Sequence, residues 1–185
     1  MSNKPAAPER QGRRKIVAAI PCFNEERCIG SVVVKAKKYV DEIIVVDDGS
    51  TDATAEIAAG AGAMVHQHGK NRGYGAAIRS ALERGRQLGA DVLVILDGDG
   101  QHDPRDIPKL VKPIIDDEAD VVIGSRFIGV VKKPPFYRRL GQRVLTTVTN
   151  IGSGQKTSDS QSGFRAYSAK ALKELNLAED GMSVS

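Results

Sequence analysis

Five short runs rich in valine and isoleucine, residues 15–20, 42–47, 64–67, 91–96 and 120–124, recur along the chain between longer segments of helical pattern. The runs read as continuous apolar stretches, polar only towards their ends, rather than alternating ones, the mark of a strand buried on both faces. Residues 26–38, 53–60, 74–88 and 106–115 read as the helices between them. Pro104 and Pro108 punctuate the start of the last, where Asp103 or Asp106 is placed to cap it. Such alternation folds as an α/β domain, a parallel, doubly wound sheet with right-handed crossovers and helices on both faces.

The rhythm changes after residue 125. Residues 126–137 read as a loop containing Gly129, Lys132, Lys133, Pro134 and Pro135. A helix from about 138 to 151 puts Leu140, Val144, Leu145, Val148 and Ile151 on one face. The polar stretch 152–162 then leads to a strand over 164–168 and a helix over 169–175.

With 185 residues the chain has room for one such domain and its core. No apolar run approaches the ~20 residues of a membrane span, and residues 1–15 hold no apolar signal core, so a cytoplasmic location is expected. The net charge of +4 resides in the start of the chain, where Lys4, Arg10, Arg13, Arg14 and Lys15 face only Glu9. Residues 1–14 therefore read as a disordered basic tail and 15–185 as the folded domain; beyond Lys15 the 22 basic and 22 acidic side chains balance and call for no nucleic acid. Cys22 and Cys28 match no zinc or redox spacing and read as two free, partly buried thiols. No helix offers an extra apolar face from which an oligomeric state is read.

In an open parallel sheet, ligands bind beyond the carboxyl ends of the strands. Three runs deliver acids there: the first leads into Glu25, the second ends at Asp47-Asp48-Gly49, and the fourth ends at Asp97-Gly98-Asp99. Gathering Glu25, Asp48, Asp97 and Asp99 in one crevice costs repulsion and desolvation unless a cation or hydrogen-bond donors answer them. Mg²⁺ or Mn²⁺ answers the Asp97/Asp99 pair, since both take hard oxygen ligands from carboxylates, phosphates and water. Gly98 and Gly100 leave room for a diphosphate. Asp-Gly is also common in plain turns, so the pair gains its weight from the acidic strand ends beside it. Between 126 and 143 lie Arg126, Lys132, Lys133, Arg138, Arg139 and Arg143 with no acid among them, and Arg126 follows the fifth strand directly. A guanidinium suits a phosphate oxygen pair.

Two rival chemistries fit less well. A phosphohydrolase using Asp97 as nucleophile wants Thr or Val two residues after Asp99, where Gln101 stands. Gly73-Tyr74-Gly75 precedes a helix but lacks the third glycine of a dinucleotide site, and reads as a turn at the nucleotide edge or helix-start packing.

The segments 20–26 (IPCFNEE), 42–54 (EIIVVDDGSTDAT), 96–104 (LDGDGQHDP), 120–127 (DVVIGSRF), 135–140 (PFYRRL) and 162–168 (SGFRAYS) together resemble the family 2 glycosyltransferases of the GT-A fold, in particular the dolichyl- and polyprenyl-phosphate mannosyltransferases. They stand in the family's order over about residues 16–170. The resemblance implies that Pro21, Phe23, Glu25, Val46 and Asp48 hold the nucleoside, Phe23 standing where many relatives carry Tyr. It implies a metal on Asp97, Asp99 and Gln101, the diphosphate against Gly98, and phosphate contacts from Arg126 and Arg138. Asp97, Asp99 and Arg126 would then be the catalytic set. Gln101-His102 fits the polyprenyl-phosphate branch, although His102 serves equally as a cap for the next helix. The reaction implied is inverting transfer of a mannose- or glucose-type sugar from a GDP- or UDP-sugar to a polyprenyl or dolichyl phosphate. The basic stretch with Phe136 and Tyr137 offers a surface for the cytoplasmic face of a membrane. Relatives continue beyond the point where residue 185 falls, which implies a domain cut short at its C-terminus. A nucleotide-sugar-binding module without catalysis, or transfer to another saccharide acceptor, stands as the alternative.

Overall fold

The computed structural model describes residues 13–124 and 163–175. Six strands form one sheet: β1 (Ile16–Cys22), β2 (Glu42–Asp47), β3 (Met64–Gln67), β4 (Val92–Ile95), β5 (Val121–Ile123) and β6 (Arg165–Ser168). The helices are α1 (Ile29–Ala36), α2 (Thr54–Gly60), α3 (Tyr74–Gln87), α4 (Ile107–Ile115) and α5 (Ala169–Glu174). Strand order is β3-β2-β1-β4-β6-β5. Chain direction therefore spreads to both sides from the β1/β4 junction, the switch point beyond which such sheets bind ligands.

β1 pairs in parallel with β2 (Val17 opposite Glu42 through Cys22 opposite Asp47) and with β4 (Ile16 opposite Val92 through Ala19 opposite Ile95). Side-chain alternation then divides the core into two. Ala18, Ile20, Ile43, Val45, Val92 and Val94 face α1, α2 and α4, whereas Val17, Ala19, Ile44, Leu93 and Ile95 face α3 and α5. Because both faces are covered, β1 and β4 are apolar along their length and β2 is apolar between Glu42 and Asp47.

The sheet is mostly parallel, as the GT-A resemblance implies, and three details depart from the sequence reading. Its antiparallel member is β6, which runs against both β4 and β5, with Val92 opposite Ser168 and Val121 opposite Tyr167. A strand as short as Arg165-Ala166-Tyr167-Ser168 carries no sign of its direction in its composition. β3 and β5 are edge strands and are not fully buried; Met64 and Val121 are 44% and 45% exposed. β1 extends through Pro21, past the expected end at residue 20. The carbonyls of Lys15 and Ala19 accept from β4-side amides, so Pro21 belongs to the β4-facing set, and its missing N–H falls where β4 has ended. Arg14, assigned to the tail, instead donates to the Ile114 carbonyl at 2.7 Å and pairs with Asp117 at 2.6 Å.

Cys22 and Cys28 are free thiols, the first buried. Burial pushes the Cys22 thiol up to about 12, helped by Asp47 and other nearby carboxylates. The tail 1–12, the loop 126–137, the helix expected from 138 to 151 and the stretch 152–162 lie outside the described residues.

Candidate active site

The loops following β1 and β2 are laced together. Asn24 N donates to Ser50 Oγ (2.9 Å), Glu25 N to Thr54 Oγ1 (2.8 Å) and Glu26 N to Asp52 Oδ2 (3.2 Å). In return Thr51 N donates to Asn24 Oδ1 (2.9 Å) and Ala53 N to Glu26 Oε2 (3.1 Å). These bonds occupy the amides that would otherwise open a helix, which is why α1 starts at Ile29 and not at the expected Glu26. They also fix where the Phe23 ring and Glu25 carboxylate project.

Asp48 is answered by the protein itself. Its carboxylate is almost fully buried and accepts from His68 Nδ1 (2.6 Å), Arg72 N (3.0 Å) and Gly73 N (2.8 Å). Asp47 is likewise satisfied, by the Ser50 amide at 3.0 Å, the Ser50 hydroxyl and Gln67 Nε2 at 3.1 Å. Of the gathered acids, Asp48 therefore needs no external cation.

The other three are different. Glu25 Oε atoms make no hydrogen bond or ion pair among the described residues, and burial raises the Glu25 pKa, with Asp99, Asp52 and Asp97 adding repulsion. Among the described residues Asp99 Oδ1 accepts only the Gln101 amide, at 2.9 Å. Asp97 accepts from the Tyr74 hydroxyl at 3.1 Å and faces His102 Nε2 at 3.4 Å. A cavity of about 460 Å³ at this edge is lined by Pro21, Phe23, Glu25, Asp48, Asp97 and Asp99, with Asn71, Gly73 and Tyr74 among the remainder. Gly98 lines it through its backbone, since a Cβ there would point at Cys22, 3.0 Å away, and not into the cavity.

Pro21, Phe23, Glu25, Asp48, Asp97, Gly98 and Asp99 are thus brought to one cavity. Val46 is fully buried in the α3-side core and does not line it. Gln101 lines a neighbouring cleft with Lys35, Lys38 and Arg105. His102 does not cap the next helix: Asp103 does, accepting from Arg105 N at 3.0 Å, while the His102 ring stacks on Phe164 at 5.3 Å. Arg126 and Arg138, with Lys132, Lys133, Arg139 and Arg143, lie outside the described residues. The sequence reading gave no role to Tyr74, His68 or Gly163. Tyr74 carries a signal through the Gly-Tyr-Gly turn at the nucleotide edge, and Gly163 falls within the segment 162–168 that bears the family resemblance.

The donor set fits a hard divalent cation of one kind only. Among the described residues no three His, Cys, Asp or Glu side chains form a closed cage. Two carboxylates beside a third, repelled one suit an ion that takes its remaining ligands from phosphate oxygens and water, as Mg²⁺ and Mn²⁺ do.

An open, mostly parallel α/β sheet with an acidic cavity of about 460 Å³ at its switch point is an architecture of the GT-A type. The family model "Glycosyl transferase family 2" matches residues 17–176, and the chain belongs to that family. Its relatives include a UDP-N-acetylglucosamine–dolichyl-phosphate N-acetylglucosaminyltransferase of Methanococcus voltae, 36% identical over 87% of this chain and 72% of that one. A polyprenol monophosphomannose synthase of Mycolicibacterium smegmatis is 31% identical over 89% of this chain and 66% of its own length. Among solved structures, glucosyl-3-phosphoglycerate synthase of Mycobacterium tuberculosis in complex with Mn²⁺, UDP-glucose and phosphoglyceric acid superposes with a TM-score of 0.67 at 28% identity. It covers 84% of this chain, which spans 57% of that one. No helix of the described residues is long and apolar enough to cross a membrane.

Proposed function

We propose that the chain transfers a hexose from a nucleotide-diphosphate sugar to a polyprenyl or dolichyl phosphate, with Mg²⁺ or Mn²⁺ held by Asp97 and Asp99. The observation that carries this reading is the convergence of Glu25, Asp97 and Asp99 on one cavity beside the aromatic Phe23. Phe23 is 43% exposed, a cost for an apolar ring that a stacked base would relieve. The dolichyl- and polyprenyl-phosphate acceptors named for two relatives support the acceptor class.

The chemistry asks little of a general base. A phosphate monoester has a second pKa near ~6, so the acceptor oxygen is anionic at neutral pH. Positioning and charge neutralisation are what remain. A cation held by Asp97 and Asp99 would supply the charge neutralisation that the departing nucleoside diphosphate needs. Phe23 and the 71–74 backbone orient the nucleoside, and Arg126 and Arg138 serve the phosphates. The basic residues from 126 to 143 hold the chain on the cytoplasmic face of a membrane, where the lipid acceptor lies.

Melting shifts across GDP- and UDP-sugars with Mn²⁺ test the donor half. Stabilisation by one of them, lost in Asp99→Asn, is expected; an Asp99→Asn variant that keeps metal-dependent binding sinks the site assignment. Transfer to polyprenyl phosphate tests the acceptor half, with phosphoglyceric acid, the ligand named for the solved relative, as the competing acceptor.

A further inference from the structure

His68 is buried, and both its ring nitrogens are engaged: Nδ1 with Asp48 Oδ1 at 2.6 Å and Nε2 with Ser80 Oγ at 2.8 Å. Carboxylate, imidazole and hydroxyl in that order would activate a nucleophile if a substrate could reach the serine. Neither His68 nor Ser80 lines the cavity, and Ser80 sits on α3 against the imidazole. The chain of bonds has a different use. A neutral imidazole carries one N–H and one lone pair, which one carboxylate and one hydroxyl satisfy completely. His68 so joins the end of β2 to the body of α3.

Between those anchors runs the segment 68–73. Asp48 accepts the Arg72 and Gly73 amides, so the carboxylate that His68 holds also fixes the end of that segment. Gly49, at φ +77°, presses its backbone on the same segment; a Cβ there would lie 2.5 Å from the Lys70 carbonyl carbon and 2.6 Å from Asn71 N. Asn71, Gly73 and Tyr74 emerge from the clamped segment as one wall of the cavity, and the Tyr74 hydroxyl reaches Asp97.

We propose that His68 is a positioning residue, which through Asp48 and Ser80 locks the 68–73 segment into the wall of the nucleotide cavity. Donor affinity then depends on a side chain that never touches the donor. The functional half of this inference rests on the nucleotide-sugar reading above; the lock itself does not.

The test uses the full chain and the variants His68→Ala, His68→Asn, His68→Gln and Ser80→Ala. Amide exchange at Arg72 and Gly73 reads the lock without ligand, and calorimetry with UDP and with GDP, each with Mn²⁺, reads its consequence. His68→Ala leaves a buried carboxylate one donor short, so exchange at both amides accelerates and nucleotide affinity falls, each by about tenfold. His68→Asn, whose amide reproduces the Nδ1 donor, retains more affinity than His68→Gln, which reproduces only the Ser80 side. In a transfer assay the loss falls on the donor KM and spares kcat. Unchanged exchange at Arg72 and Gly73 in His68→Ala overturns the lock, as does equal damage from His68→Asn and His68→Ala. Should His68→Ala not fold, His68→Asn against His68→Gln and Ser80→Ala decide by the same order. A wild-type chain that binds neither nucleotide overturns the donor reading instead, while exchange still decides the lock.

Discussion

Gly163 lies against the Asp97 carboxylate so closely that a Cβ on it would come within 2.6 Å of both Cγ and Oδ1 of Asp97. The missing side chain of the glycine is what the carboxylate occupies. Three separate parts of the chain thereby meet at one group: Tyr74 from the start of α3, His102 from the loop after β4, and Gly163 from the approach to β6.

Gly163→Ala is expected to swing the Asp97 carboxylate aside while leaving the fold intact. Metal-dependent nucleotide binding should fall by about tenfold or more, the scale of losses around metal ligands. The melting temperature without ligand should change little. Calorimetry with UDP or GDP, with and without Mn²⁺, separates the two, and an unaltered metal dependence would count against Asp97 as a ligand.

Gly85 gives a stability counterpart. On α3 it packs against Leu93 of β4, and a Cβ would stand 2.7 Å from Leu93 Cδ1 and 2.8 Å from Cδ2. Gly85→Ala should destabilise by about 1–3 kcal/mol through overpacking, despite the better helix propensity of alanine. Adding Leu93→Val should recover part of that loss, and denaturant titration of both singles and the double checks the coupling.

The central strands were legible because burial on both faces leaves an unbroken apolar run, as in residues 92–96. The direction of β6 was not, since Arg165–Ser168 reads the same whichever way it runs. The cavity acids were legible from where strands end. Asp48 was legible as an acid at the right edge but not as one already satisfied, because its donors are two backbone amides and a histidine 20 residues away. Gly163 stood inside a family motif, yet the carboxylate that requires its smallness is distant in sequence. Such long-range complementarity leaves no periodic trace in a single chain.

Asp120 ties β5 to the β6–α5 corner, accepting from Ser168 Oγ at 2.8 Å and Lys170 Nζ at 3.0 Å. Lys170 first, then Ser168, hold its pKa below the usual carboxylate value. A depressed carboxylate contributes stability above its unfolded pKa and loses it as pH falls through the folded value. Asp120→Asn should therefore lower the melting temperature at pH 7 and make no difference once the pH lies below both values. Melts across the acid range check the convergence of the two curves.

Glu25 runs the other way. Burial first, then Asp99, Asp52 and Asp97, raise its pKa, so the folded chain favours the protonated form. That contribution is present below the ordinary glutamate value, about 4.3, and is lost as pH rises through the higher folded value. The raised pKa reflects a Glu25 carboxylate set beside Asp99 and Asp97, a repulsion that costs the ligand-free chain stability as Glu25 ionises and that a bound cation would relieve. Glu25→Gln should raise the metal-free melting temperature at pH 7 by about 1–3 °C, with the difference vanishing near pH 4. Mn²⁺ and nucleotide should then stabilise the wild type more than the variant, because the bound cation removes a repulsion that the variant no longer has. Paired melts at the two pH values, with and without the ligands, test both halves. A variant less stable than the wild type at pH 7 without metal would show that Glu25 supports the fold and not the ligand.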